Sequence, residues 1–335
     1  MTAEWRERLV RNPLAQRLAP APPPSGPLTF HRSLPGYAPT PLVEAPAAAR
    51  ALGVERVLVK DESSRFGLPS FKVLGASWAT HRAVAALGER PPHLTLTCAT
   101  DGNHGRAVAW MARQLGAGAV VFVPAAMVPA RRAAIAAEGA RVEVVDGTYD
   151  DAVERAAALA GPDTLVIQDT AWPGYETVPA WVVDGYSTIG AEIDAEPDLV
   201  AVQIGVGSFA AAMVLRFAGA RMVGVEPVAA ACALASVEAG ELAEVPGPHD
   251  SVMAGLNCGR PSPLAWPVIS GGIEAFAAVS DDRARAAVAL LARDGIGAGE
   301  SGAAGLAGLL AFGDALALPP TVLVINTERG LSPPP

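Results

Sequence analysis

The chain carries 25 Lys and Arg residues, and only two of them, Lys60 and Lys72, are lysine. Where a surface needs positive charge alone, this sequence writes arginine. A retained lysine is then a candidate for chemistry that arginine cannot do, with chance survival as the alternative. Arginine stays protonated, whereas a desolvated lysine loses its proton and forms a Schiff base. Lys72 ends the stretch Arg65-Phe66-Gly67-Leu68-Pro69-Ser70-Phe71-Lys72, at a predicted helix start, with Val73 and Leu74 behind it. Apolar flanks favour the neutral amine, and an ammonium opening a helix is badly placed against the macrodipole. Lys72 is therefore read as a nucleophile or base. Lys60, beside Asp61 and Glu62, reads as one half of a solvated charge pair.

Two glycine-bearing loops could serve such a lysine. The apolar run Leu199–Ile204 leads into Gly205-Val206-Gly207-Ser208 and then a predicted helix. Small residues at a strand-to-helix turn let backbone N–H groups approach an anion, and the helix start adds partial positive charge. Three readings stand side by side. The loop is a tight turn that binds nothing, a cradle for the single phosphate of a small cofactor, or, with Ala210 and Glu226, a dinucleotide fingerprint. The second loop, Thr100-Asp101-Gly102-Asn103-His104-Gly105, follows a run ending at Cys98. Its hydroxyl, glycine-spaced amide and helix start suit a carboxylate. Asp101 is out of place in an anion cradle and points to proton transfer. His104 reads as a cap or packing group before a catalyst. A reactive lysine, a phosphate nest, a carboxylate nest and a stray acid together suit pyridoxal phosphate acting on an amino acid.

The elements that must hold these residues alternate. Apolar runs at 57–59, 94–98, 119–123, 142–145 and 165–167 read as strands, separated by helices starting near Lys72, His104, Pro129 and Tyr149. A second series has strands at 199–204, 222–225 and 322–325, with helices near 176–194, 208–218, 281–293 and 302–315. This is the strand–helix alternation of parallel sheets. Residues 1–43, with Ala-Pro-Pro-Pro-Ser-Gly-Pro at 21–27, read as an irregular wrap over a domain surface. The expected fold class is α/β, with two parallel-sheet three-layer domains and the ligand in the cleft between them. Residues 1–85 and 186–335 are assigned to a large cofactor-binding domain, and 86–185 to a smaller mobile one.

Length and composition bound the function. A chain of 335 residues with net charge −9 suits two domains and lacks the basic footprint of a nucleic-acid binder. Without a long apolar run or a secretory leader, a soluble cytoplasmic protein with no membrane partner is expected. Three cysteines, none in a Cys-x-x-Cys pair, argue against a disulfide scaffold and a metal site.

These same segments carry a family resemblance. The lysine segment, the Asp-Gly-Asn-His-Gly loop and the Gly-Val-Gly-Ser loop, in this order, resemble the fold-type II pyridoxal-phosphate enzymes related to tryptophan synthase β and threonine deaminase. Within them the chain is most similar to the diaminopropionate ammonia-lyases. That closer likeness rests on Pro35-Gly36-Tyr37, Lys60-Asp61-Glu62-Ser63, Gln168-Asp169-Thr170-Ala171-Trp172, Met253-Ala254-Gly255-Leu256, Gly299-Glu300-Ser301-Gly302 and Thr327-Glu328. The resemblance implies that Lys72 holds pyridoxal 5'-phosphate and then acts as a base. It implies that Gly205, Val206, Gly207 and Ser208 bind the phosphate, Asn103 the ring hydroxyl, and Thr327 the pyridine nitrogen. Thr100, Gly102 and His104, beside Asp101, would hold the substrate carboxylate.

Asp101 matches the family's second base, needed if both enantiomers react, and Asp169 an acid near the leaving amine, with a helix cap as the plainer reading of Asp169. The implied reaction releases ammonia from 2,3-diaminopropionate and yields pyruvate, in a homodimer. Cys232 and Cys258 fall where relatives can carry a cysteine pair and are read as free thiols. Asn326, Arg329 and Phe209-Ala210-Ala211 depart from the family pattern. They leave open elimination from, or replacement at, another β-substituted amino acid. An NAD(P)-dependent oxidoreductase using Glu226, and a non-catalytic amino-acid sensor, are the more distant alternatives.

Overall fold

The structure, a computed structural model, describes residues 6–16, 24–100 and 102–330. They form two compact units. The first takes the described parts of Met1–Ser25, Gly36–Phe71 and Ser187–Pro335; the second takes Gly26–Pro35 and Lys72–Tyr186. In chain order the strands are β1 (Arg8–Arg11), β2 (Leu42–Glu44), β3 (Arg56–Asp61), β4 (Thr95–Ala99), β5 (Gly118–Pro124), β6 (Arg141–Val145), β7 (Thr164–Val166), β8 (Leu199–Gln203), β9 (Arg221–Pro227), β10 (Ala275–Val279) and β11 (Thr321–Asn326).

The first unit is built on a sheet of order β1-β10-β9-β8-β11-β3-β2. Its inner strands pair in parallel, and β1 and β2 close the two edges antiparallel. The sheet is therefore parallel through its interior, as the sequence suggested, with an antiparallel strand at each edge. Every residue of β8 is buried, as a strand covered on both faces requires. Alternate residues Val57, Val59, Leu199, Ala201, Val223, Val225, Val322 and Val324 share one core with helices Pro46–Leu52, Asp281–Arg293 and Glu300–Leu316. Helix Asp281–Arg293 starts where Ser280 Oγ accepts from Arg283 N, with Asp281 and Asp282 against the helix dipole.

The second unit carries a parallel sheet of order β6-β5-β4-β7. Its helices include Lys72–Ala86 and Asn103–Leu115, which pack against each other. The first crossover between the two units falls at the Phe71–Lys72 bond. The strand β1 and the helix Ser25–Ser33 also replace part of the irregular wrap expected over 1–43. The strands β1, β2 and β10 have no clear signature. Two are short edges, and Ala275-Phe276-Ala277-Ala278-Val279 lacks the β-branched run that marks the others.

Lys60 corrects another expectation. It is fully buried, its Nζ donating to Thr40 O and to Glu192 Oε2, each at 2.7 Å. Arg65, equally buried, donates through Nε and Nη2 to both oxygens of Glu62, and through Nη1 and Nη2 to both oxygens of Glu192. The two cations and two carboxylates neutralise one another inside the first unit, which is how a charge next to Asp61 and Glu62 escapes solvent. Burial alone would lower the pKa of Arg65, but the two glutamates hold it above the usual range. Among the described residues no group of His, Cys, Asp or Glu is arranged to hold a metal ion.

Candidate active site

In the first unit, the carboxyl ends of two neighbouring parallel strands bear the expected cofactor residues. The loop after β8 is Gly205-Val206-Gly207-Ser208, and the residue after β11 is Thr327. From β8 the chain goes on to β9 on one side, while β11 lies on the other. This is the switch point at which open α/β sheets bind ligands. Gly207 has φ 96°, a left-handed conformation that turns the chain into helix Ser208–Arg216. A Cβ at this position would stand 3.1 Å from Ile269 Cδ1 and 3.2 Å from Ala265 Cβ. The carbonyl of Val206 accepts from Ser262 N at 2.8 Å, and that of Gly205 faces the Cys232 thiol at 3.9 Å. These contacts set the peptide planes of the loop. Gly255 N donates to Ser301 Oγ at 3.1 Å, joining two of the motifs noted in the sequence.

Phe71 is tied to the same place. Its N–H donates to Thr327 O at 3.2 Å, and its ring lies 4.8 Å from that of Phe209. Lys72 is the next residue in the chain. Its peptide neighbour is thus anchored to the residue after β11 and to the helix that follows the Gly205-Val206-Gly207-Ser208 loop.

In the second unit, Lys72 Nζ donates to Asp169 Oδ2 at 2.7 Å. Asp169 follows β7, and Thr100 follows β4, the strand beside it. Gln168 positions the acid. Its Oε1 accepts from Ala99 N, its Nε2 donates to Tyr149 Oη, and its own N–H donates to Tyr175 Oη. Burial pushes Asp169 up, but the positive charge of Lys72, with His104 and the hydrogen bond from Lys72, holds it well below the usual carboxylate range.

Thr100 Oγ1 accepts from the N–H groups of Gly102 and Gly105, at 2.9 and 3.0 Å. It closes the turn that opens helix Asn103–Leu115, so its own hydrogen is left to donate outward. His104 Nε2 lies 2.7 Å from Ile167 O, which only accepts, so Nε2 carries the hydrogen. Nδ1 then stands 3.8 Å from Asp169 Oδ2, buried and without a hydrogen-bond partner among the described residues. Burial lowers the pKa of His104 against the pull of Asp169. Asp101 lies outside the described residues.

Tyr186 has no signature in the sequence. Helices Lys72–Ala86 and Thr177–Ala191 cross at two glycines, and a Cβ on Gly185 would stand 2.5 Å from Leu74 O. Gly75 makes room for the Tyr186 ring, since a Cβ there would meet Cε1 at 2.6 Å. The Tyr186 phenol is buried and faces Lys72. Gln203, the last residue of β8, was likewise not singled out, although a polar side chain ending the run Leu199-Val200-Ala201-Val202 is a visible signal.

Glu226 does not fit a dinucleotide site. It is fully buried, and its two oxygens accept from Ala233 N and Leu234 N, each at 2.8 Å, capping helix Cys232–Ala239. No ribose can reach it. Cys98, Cys232 and Cys258 are not joined in disulfides.

The residues present fit pyridoxal phosphate. In the first unit a left-handed glycine opens a helix start suited to an anion, and a threonine hydroxyl follows the neighbouring strand; in the second, a lysine is paired with a carboxylate. Comparison with known proteins agrees. Residues 34–328 match the family described as pyridoxal-phosphate dependent enzymes. The diaminopropionate ammonia-lyase of Escherichia coli K12 is 36% identical over 318 residues, covering 84% of this chain and 79% of that protein. A crystal structure of the Escherichia coli enzyme, in complex with an aminoacrylate-PLP azomethine reaction intermediate, superposes with a TM-score of 0.88 at 33% identity, covering 97% of this chain and 94% of that one. Its complex with D-serine gives the same TM-score at 32% identity, with the same coverage of both chains. The chain belongs to the pyridoxal-phosphate dependent enzymes, in the diaminopropionate ammonia-lyase family.

Proposed function

We propose that this protein eliminates ammonia from 2,3-diaminopropionate, in its D form, its L form or both, and yields pyruvate and ammonia. The observation that carries the reading is the 2.7 Å pair of Lys72 and Asp169. A base for the Cα proton is held beside a carboxylate suited to the departing ammonium. The likeness to the diaminopropionate ammonia-lyases supports the same substrate.

Lys72 would hold pyridoxal phosphate, with Gly205, Val206, Gly207 and Ser208 around its phosphate, Asn103 at the ring hydroxyl and Thr327 at the ring nitrogen. When bound, the cofactor supplies an electron sink that acidifies the substrate Cα–H bond. The Thr100 hydroxyl, with its lone pairs taken by two backbone amides, would donate to the substrate carboxylate, with Gly102 and His104 alongside. Lys72 would take the Cα proton and the Asp169 carboxylate would hold the β-ammonium, which leaves as NH3 when the Cβ–N bond breaks with its electron pair going to nitrogen. Water then hydrolyses the released enamine to pyruvate, so that both nitrogens leave as ammonia. A second base on the opposite face, assigned to Asp101, would serve the other enantiomer.

Among the described residues no helix is long and apolar enough to cross a membrane. The reading takes the protein to be a cytoplasmic homodimer. The test is release of pyruvate and ammonia from D- and L-diaminopropionate, set against β-substituted alanines such as serine. Lys72→Ala should abolish both the visible absorbance of the bound cofactor and turnover. A wild type that binds the cofactor yet leaves both diaminopropionate enantiomers untouched would end the substrate assignment.

A further inference from the structure

The side-chain amide of Gln203 sits between the two loops of the first unit. Its Nε2 lies 3.0 Å from Ser301 O, 3.2 Å from Gly302 O, 3.0 Å from Ile325 O and 2.8 Å from Thr327 Oγ1. Three of these neighbours are carbonyl oxygens, which only accept. Turning the amide over would set Oε1 against all three, oxygen to oxygen, so the neighbours dictate which end is nitrogen. The shortest contact is to Thr327. Oε1 is buried with no hydrogen-bond partner among the described residues, a cost accepted to keep the nitrogen where it is.

A nitrogen that can only donate makes the Thr327 hydroxyl an acceptor on that side. Its own hydrogen is left to point elsewhere. Thr327 is 3% exposed, directly after β11 and therefore beside the phosphate loop that follows β8. We infer that Gln203 is a positioning residue that sets the polarity of the Thr327 hydroxyl, so that it donates to the pyridine nitrogen of the bound cofactor and keeps that nitrogen unprotonated. A neutral ring draws less charge from Cα than a pyridinium. Loss of a β-substituent is then favoured over return of the proton to the cofactor carbon, and elimination over transamination. This inference rests on the cofactor and not on the identity of the substrate.

The holoenzyme tests it, reconstituted with pyridoxal phosphate carrying ¹⁵N in the ring. Ring-nitrogen chemical shifts are read against pH for the wild type, Gln203→Met, Thr327→Val and the double variant. The wild-type nitrogen should stay unprotonated throughout, whereas Gln203→Met should take up a proton within the range. The double variant should match Thr327→Val alone, because both changes act through one hydroxyl. Turnover in Gln203→Met should fall about tenfold, the scale seen when an outer partner of a site residue is lost, with KM for the substrate little changed. A protonated ring in the wild type, a Gln203→Met profile superimposed on it, or additive effects would each overturn the inference. Should Gln203→Met fail to fold, neutron diffraction from wild-type holoenzyme crystals decides. A deuterium on Thr327 Oγ1 directed away from Gln203 supports the assignment, and one directed at Gln203 overturns it. A wild type that takes up no cofactor would overturn the cofactor assignment as well, and is recognised by its missing visible band.

Discussion

Lys72 and Asp169 are 97 residues apart in the chain and 2.7 Å apart in the fold, ammonium against carboxylate. The pair gives the lysine a defined direction, and it leaves a trace in the acid limb of stability. Asp169 has its folded pKa held below the ordinary carboxylate value. A group of this kind adds stability that is complete above its unfolded pKa, near about 4, and is lost as pH falls through the folded value. Asp169→Asn should therefore flatten the acid limb of a melting-temperature profile. It should also cut pyruvate release by roughly 10²- to 10³-fold, the scale for loss of one group that stabilises charge at the reacting centre.

Glu226 should act with the opposite sign. Burial raises it from 4.5 to about 7, despite the hydrogen bonds from Ala233 and Leu234 and the contact with Cys232. Between these two values the folded state keeps a proton that the unfolded state has lost. Its contribution to stability therefore falls as pH rises from 4.5 to about 7 and stays low above that. The span corresponds to roughly 3 kcal/mol at most. Glu226→Gln should remove this slope, as read from melting midpoints taken every half unit across that window.

Gly75 and Tyr186 should prove inseparable. Gly75→Ala drives a methyl to within 2.6 Å of the Tyr186 ring and should destabilise the fold by about 1–3 kcal/mol. Because the ring faces Lys72, the substitution should also alter the visible spectrum of the bound cofactor. Gly88→Ala is a useful comparison on the same helix–loop segment. It has open space around it but φ 73°, so it should cost stability without a spectral change.

The buried charges around Glu192 should be sensitive to the loss of one partner. Glu192→Gln leaves Lys60 and Arg65 short of a counter-charge in the interior, where breaking a pair costs about 3–5 kcal/mol. A urea midpoint lowered by that energy divided by the unfolding slope, with the slope itself unchanged, is the expected reading.

The sequence by itself determined what short-range demands determine. Apolar runs and helix starts placed most strands and helices to within a few residues. Gly205-Val206-Gly207-Ser208 announced a strand-to-helix turn that needs small residues, and the scarcity of lysine singled out Lys72. The ordered motifs then pointed to the family. Tertiary structure decided the pairings, because a partner far away in the chain leaves no local mark. Lys60 looked solvated beside Asp61 and Glu62, yet it is buried because Glu192, 132 residues on, reaches it. Gln203 passed without notice inside the run Leu199–Ile204, yet Thr327, 124 residues later, receives its N–H. Glu226 matched a ribose ligand by spacing and is instead a helix cap, because helix Cys232–Ala239 turns back onto it. In each case the residue type was legible from the sequence, but its role follows from which atoms the fold brings within hydrogen-bonding distance.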